Sequence, residues 1–178
     1  MDEWLIKRAR SGDQEAFSML VLRHQMFVVN ICYQFLRVRE DAEDTTQEVF
    51  IKLYRNSSQY QAQGKFRSYL AKIATNECLN RLRREKKMKT VRLEEYTHAN
   101  VPPTKEENIS PKLQEALDQL PTRQRLAFLM KIHGKACYES IASELECPVS
   151  AVGSLIFRAR QTLQRKLKSS SEEQEASQ

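Results

Sequence analysis

Glycine and proline are scarce in this 178-residue chain, at four and five residues, and its apolar residues recur three and four positions apart. That spacing matches the turn of an α-helix and not the two-residue alternation of a strand, so the sequence predicts an all-α fold. The longest break in the pattern divides the chain. VPPTKEENISP, at 101–111, carries three of the prolines, and Pro102-Pro103 cannot lie inside a helix. The chain therefore divides into two small helical domains, 1–88 and 111–168, joined by a flexible linker at 89–110. The last residues, 169–178, read SSSEEQEASQ, with no large apolar side chain, and are expected to form a disordered acidic tail.

In the first domain Asp13 is placed to cap a long helix. Its stripe includes Phe17, Leu20, Val21, His24, Phe27, Val28, Ile31, Cys32 and Phe35, with His24 at the stripe's boundary. A second helix is expected from about Glu40 to Asn56, turning Ala42, Val49, Phe50 and Leu53 inward and Asp44, Gln47, Glu48 and Lys52 outward. After a polar break containing Gly64, a third begins near Phe66 and sends Leu70, Ile73, Ala74 and Leu79 to the core. Its other face carries Lys72, Asn76, Asn80, Arg83 and Arg84 at helical spacing. Asparagine can pair with base edges while Lys and Arg neutralise phosphates; an ordinary solvated face would have the same composition.

The formal net charge is +6, which favours polyanionic partners without choosing among them. Its placement is more informative: residues 81–92 hold Arg81, Arg83, Arg84, Lys86, Lys87, Lys89 and Arg92 against the single acid Glu85. No secretory signal is visible, since Asp13, Gln14 and Glu15 follow Trp4–Ile6 too soon. No apolar run approaches the roughly 18 residues of a membrane span. A cytoplasmic protein is expected. Cys32, Cys78, Cys137 and Cys147 are too widely spaced for a metal or redox motif and read mainly as thiols, two of them buried. His24, His98 and His133 form no catalytic spacing with them.

The second domain reads as short helices ending in a helix-turn-helix. Leu113, Leu117 and Leu120 lead to a stop at Pro121. Thr122 can cap the next helix, which carries Leu126, Phe128, Leu129 and Ile132 inward and leaves through Gly134. Tyr138, Ile141, Ala142 and Leu145 then form the first helix of the pair, and Ser150 can cap the second. That second helix buries Val152, Leu155, Ile156, Ala159 and Leu163 and leaves Ser154, Arg158, Arg160, Gln161 and Arg165 outside. A rigid basic helix of this kind suits duplex DNA.

AEDTTQEVF at 42–50, FRSYLAKIATNECLNRLRR at 66–84 and residues 113–167 together resemble the bacterial sigma-70-type sigma factors, specifically the two-domain extracytoplasmic-function (ECF) subgroup. The likeness follows family order over most of the chain. It implies a dissociable transcription-initiation factor that binds core RNA polymerase, reads the promoter minus-10 and minus-35 elements and promotes strand opening, while the polymerase performs the chemistry. By the resemblance, Asp44, Gln47, Glu48 and Phe50 lie on or under the surface gripping the clamp helices of the largest polymerase subunit. Lys65, Arg67, Tyr69, Asn76, Asn80, Arg83 and Arg84 engage the opened minus-10 strand, and Ser150, Ser154, Arg158 and Arg160 meet the minus-35 element. The linker is implied to thread near the polymerase active-site cleft.

No catalytic residue, metal or cofactor is implied for this chain. Many members of the subgroup are restrained by anti-sigma proteins, often membrane-linked. The chain departs from the family pattern at Tyr69, where Trp is common, and at Ser140, Glu146, Ala151 and Gly153, where Glu, Gly, Thr and Lys are frequent. A free-standing helix-turn-helix regulator would account for the basic helix at 150–165 but not for AEDTTQEVF at family spacing before the other basic stripe.

Overall fold

A computed structural model describes residues 1–57, 60, 65–89 and 111–175. Those residues form eight α-helices and no strand. They fall into two compact units, Met1–Glu107 and Asn108–Gln178. The expected linker, apart from Lys89, lies outside the described residues.

Unit 1 contains α1 (Asp2–Arg10), α2 (Gln14–Leu36), α3 (Arg39–Arg55) and α4 (Phe66–Lys89). The central helix, α2, packs against the other three. Asp13 caps it as expected, its Oδ1 accepting from the Ala16 amide at 3.0 Å. At the far end Arg37 takes the left-handed conformation, with φ 67°, and its amide closes the helix onto the Tyr33 carbonyl. Leu20, Val28, Ile31, Cys32 and Phe35 are buried, whereas Phe17, Val21 and Phe27 are only partly covered. By length and composition α2 is apolar enough to cross a bilayer, which corrects the sequence reading. Its buried face is nonetheless taken by α1, α3 and α4, the packing of a core helix.

The sequence reading had not recognised α1. Leu5, Ile6 and Ala9 bury it, and its first turn is tied down by polar contacts. Asp2 meets Arg23 and His24, each at 3.1 Å, and Glu3 accepts from the Tyr60 hydroxyl. His24, expected at the boundary of the stripe, is 6% exposed.

Unit 2 contains α5 (Pro111–Asp118), α6 (Thr122–Ile132), α7 (Tyr138–Glu144) and α8 (Val149–Glu175). The last helix packs on α5, α6 and α7 through Val152, Ile156, Ala159 and Leu163, all buried. The chain bends by 93° between α7 and α8, the angle of a helix-turn-helix, about 90–120°.

Several local expectations are corrected here. Thr122 is the first helical residue of α6, not its cap; Pro121, extended and lacking an amide hydrogen, precedes it and its carbonyl accepts from Arg125. That helix buries Arg125, Ala127, Leu129 and Met130 and exposes Ile132. The left-handed residue after it is Lys135, φ 50°, not Gly134. Ser150 lies inside α8, which starts one residue earlier. No glycine or proline interrupts 154–175, and α8 runs on to Glu175, through most of the segment expected to be a disordered tail.

Candidate nucleic-acid and partner interfaces

The outward face of α3 follows from its burial pattern. Ala42, Thr45, Thr46, Val49, Phe50 and Leu53 point into unit 1, which leaves Asp44 and Gln47 exposed and Glu48 half-exposed. Phe50 is 6% exposed and supports this face from below instead of presenting itself. Sequence reasoning missed two apolar neighbours on the surface, Ile51 and Tyr54, which are 52% and 47% exposed. Tyr54 sets its ring edge-on against Phe17, with centroids 5.0 Å apart. Both residues belong to the same apolar run as the buried Phe50 and Leu53, so only the packing separates inside from outside.

Ion pairs bind α4 to α3. Asp41 pairs with Arg81 and Lys52 with Glu77, while Glu48 stands 3.6 Å from Arg84. The polar stripe of α4 is consequently divided. Lys72 and Asn76 are exposed. Asn80 accepts from Arg83 at 2.9 Å, and Arg84 reaches the Asn80 carbonyl at 3.4 Å, so these three residues form one cluster.

Lys65, Arg67 and Tyr69 gather at the start of α4, some three to four turns from that cluster at about 5.4 Å per turn. Arg67 lays its guanidinium 4.1 Å over the Phe27 ring. Tyr69 is half-buried with its ring 5.0 Å from that of Tyr60, and burial pushes its hydroxyl pKa up. Tyr60 in turn packs edge-on to Phe66 at 5.6 Å. Tyr69 thus belongs to an aromatic cluster that fixes the entry to α4. Tyr60 was passed over because it sits in a polar segment with no periodicity.

On α8, Ser150, Ser154 and Arg158 are exposed and four residues apart, and they share one face. Arg160 is also exposed, but two residues beyond Arg158 it points to a different side of the helix. Phe157, which sequence reasoning had not singled out, is 64% exposed. Tyr138 of α7 leans on α8 beside Gly153 and carries Lys131 at 5.2 Å from its ring centroid.

Among the described residues, no three His, Cys, Asp or Glu side chains group as metal ligands. Cys32 and Cys78 are buried, Cys137 is exposed and Cys147 intermediate.

An all-helical pair of units, one with an acidic and amide face beside a basic stripe and the other a helix-turn-helix with an exposed basic helix, is the architecture of a DNA-binding transcription protein. The comparisons specify it further. Residues 20–88 match the family model for sigma-70 region 2 and residues 110–163 that for sigma-70 region 4. The chain is 31% identical to the RNA polymerase sigma-H factor of Pseudomonas aeruginosa, with 93% of each chain covered. It is 32% identical to the ECF RNA polymerase sigma-E factor of Escherichia coli K12, over 93% of this chain and 94% of that one.

Among solved structures, CnrH in complex with the cytosolic domain of CnrY is similar at 25% identity and a TM-score of 0.54, covering 94% of this chain and 97% of that one. The sigma factor RpoE of Bartonella quintana, in complex with the anti-sigma factor NepR, shares the fold at 21% identity and a TM-score of 0.58, covering 85% and 96%. The chain belongs to the ECF subgroup of sigma-70-type RNA polymerase sigma factors and acts in transcription initiation.

Proposed function

We propose that the outward face of α3, with Asp44, Gln47 and Glu48 as polar contacts and Ile51 and Tyr54 as apolar anchors, docks on the clamp helices of core RNA polymerase. Lys65 and Arg67 at the head of α4, and Asn76, Asn80, Arg83 and Arg84 along it, engage the non-template strand of the minus-10 element. Ser150, Ser154 and Arg158 on α8 enter the minus-35 major groove, and Arg160 serves the flanking phosphate. Preferential binding of the opened strand shifts the duplex toward melting without nucleotide hydrolysis by this chain. The assignment rests most on one observation: α3 presents its polar residues on the side away from the core while its ion pairs hold the basic face of α4 beside them.

The relatives CnrH and RpoE are each held in a complex, the second with an anti-sigma factor. An anti-sigma partner for this chain would cover the same α3 face, where exposed Ile51 and Tyr54 offer apolar area. A cytoplasmic setting follows from the work with polymerase and promoter DNA.

Transcription by purified core polymerase from a compatible source, with and without this protein, on a library of promoter fragments tests the reading. Protein-dependent starts sharing paired upstream elements are expected. Protein-independent starts alone, with the chain folded, would overturn it.

A further inference from the structure

The proposed DNA contacts leave one row of α8 unused. Val149, Gly153 and Phe157 stand four residues apart and so line one face of the helix, with Val149 44% and Phe157 64% exposed. Nothing in the fold requires the glycine. Its φ is not positive, and a Cβ added there would meet only the Tyr138 ring, at 3.7 Å, an ordinary contact. Alanine would favour the helix. The chain forgoes that stability and keeps a gap near the leading end of an exposed helix, the end with which helix-turn-helix proteins meet base edges.

The gap has apolar surroundings. The Tyr138 ring forms its floor, and Val149 and Phe157 flank it one turn to either side. Backbone amides inside a helix are already committed to the preceding turn, so the notch offers no hydrogen bond. Arg158 stands exposed beside it, on the adjacent row proposed to enter the groove. In the major groove the C5 methyl of thymine is the apolar group that distinguishes one base from the others.

From this we infer that Gly153 determines minus-35 specificity: its missing side chain leaves a notch, floored by Tyr138 and flanked by Val149 and Phe157, that receives a thymine methyl. The inference rests on the proposed entry of α8 into the minus-35 groove.

The test uses the full chain with core polymerase on a promoter it selects from the library. Thymines of the minus-35 element are replaced one at a time by deoxyuridine, which lacks only the methyl. At one position, initiation by the wild-type protein is expected to fall threefold or more. The Gly153→Ala protein, with folding checked by circular dichroism and a melting temperature no lower than wild type, is expected to lose that thymine preference, and Phe157→Ala to reduce it. Insensitivity of every minus-35 thymine, or an unchanged preference in Gly153→Ala, would overturn the inference. Failure of the parent reading appears separately, in the wild-type protein alone, as starts that share no minus-35 element; the notch would then fall with it.

Discussion

Glu48 of α3 and Arg84 of α4 form an ion pair at 3.6 Å, and the two residues belong to different proposed surfaces, Glu48 to the polymerase face and Arg84 to the DNA stripe. A polymerase group that draws Glu48 away leaves Arg84 for a phosphate. Both side chains are largely exposed, at 43% and 62%, so the pair is worth at most about 1 kcal/mol. Glu48→Gln is therefore expected to leave the fold unchanged and to tighten single-stranded DNA binding by the free protein, by no more than about fivefold. Asp44→Asn removes the same charge from a carboxylate that has no ion pair among the described residues, and its gain should be smaller. Fluorescence anisotropy across a salt series compares them; equal gains would reduce the effect to net charge.

The Asp41–Arg81 pair is better sheltered, with side chains 28% and 24% exposed, and Arg81 also reaches Glu85 at 3.5 Å. Removing one partner of a shielded charged hydrogen bond costs about 1–2 kcal/mol. Asp41→Asn should destabilise unit 1 by that amount in urea unfolding. Glu43→Gln, which breaks the exposed Arg39–Glu43 pair within one helix, should cost less than about 0.5 kcal/mol.

These pairs show where the sequence was informative and where it was not. The cores of α2, α3 and α4 were legible because each alternates apolar and polar residues at helical spacing and Asp13 marks a start. The polar face of α3 was legible for the same reason, since Asp44, Gln47 and Glu48 fall opposite Ala42, Val49 and Leu53. Within α6 the run LAFLM has no polar residue and only Lys131 separates it from Ile132, so several faces fit it equally, and packing chose the one that buries Met130 and exposes Ile132. The short helix α1 has no side-chain cap and depends on Asp2 and Glu3 meeting residues far along the chain, contacts that no local pattern records. Exposure of Ile51, Tyr54 and Phe157 belongs to the same class: each is an apolar residue in a helical pattern, and only the neighbouring helices decide that it stays outside.

The four thiols should separate cleanly. Cys32 and Cys78 are fully buried, and the hydrogen bond that the Cys78 thiol donates to the neighbouring Cys32, together with burial, pushes the Cys78 thiol far above its ordinary range. Burial shuts both off from reagent, and because the thiolate is the reacting form Cys78 is protected twice over, so neither should be alkylated until the protein unfolds. Cys137, exposed with its Sγ 3.0 Å from the Ser140 hydroxyl, should react fast and Cys147 more slowly. Timed alkylation followed by peptide mass spectrometry reads this directly, and rapid native labelling of Cys32 or Cys78 would contradict the packing of α2 on α4.

Acid should weaken unit 2 through His133. Burial lowers its imidazole pKa to about 4, against an ordinary 6.5, so the folded unit favours the neutral ring while the unfolded chain takes up a proton below 6.5. The stability this contributes is complete above that value and is lost as pH falls from about 6.5 toward 4. His24 shifts in the same direction in unit 1, lowered by burial and opposed by Asp2, so the two units must be followed separately. Nuclear magnetic resonance titration of the folded protein should place the His133 transition well below 6. Urea midpoints for unit 2 should drop between pH 7 and pH 5, and His133→Asn should flatten that dependence. A His133 transition near 6.5, or an identical pH slope in the variant, would exclude burial of the neutral ring as the source.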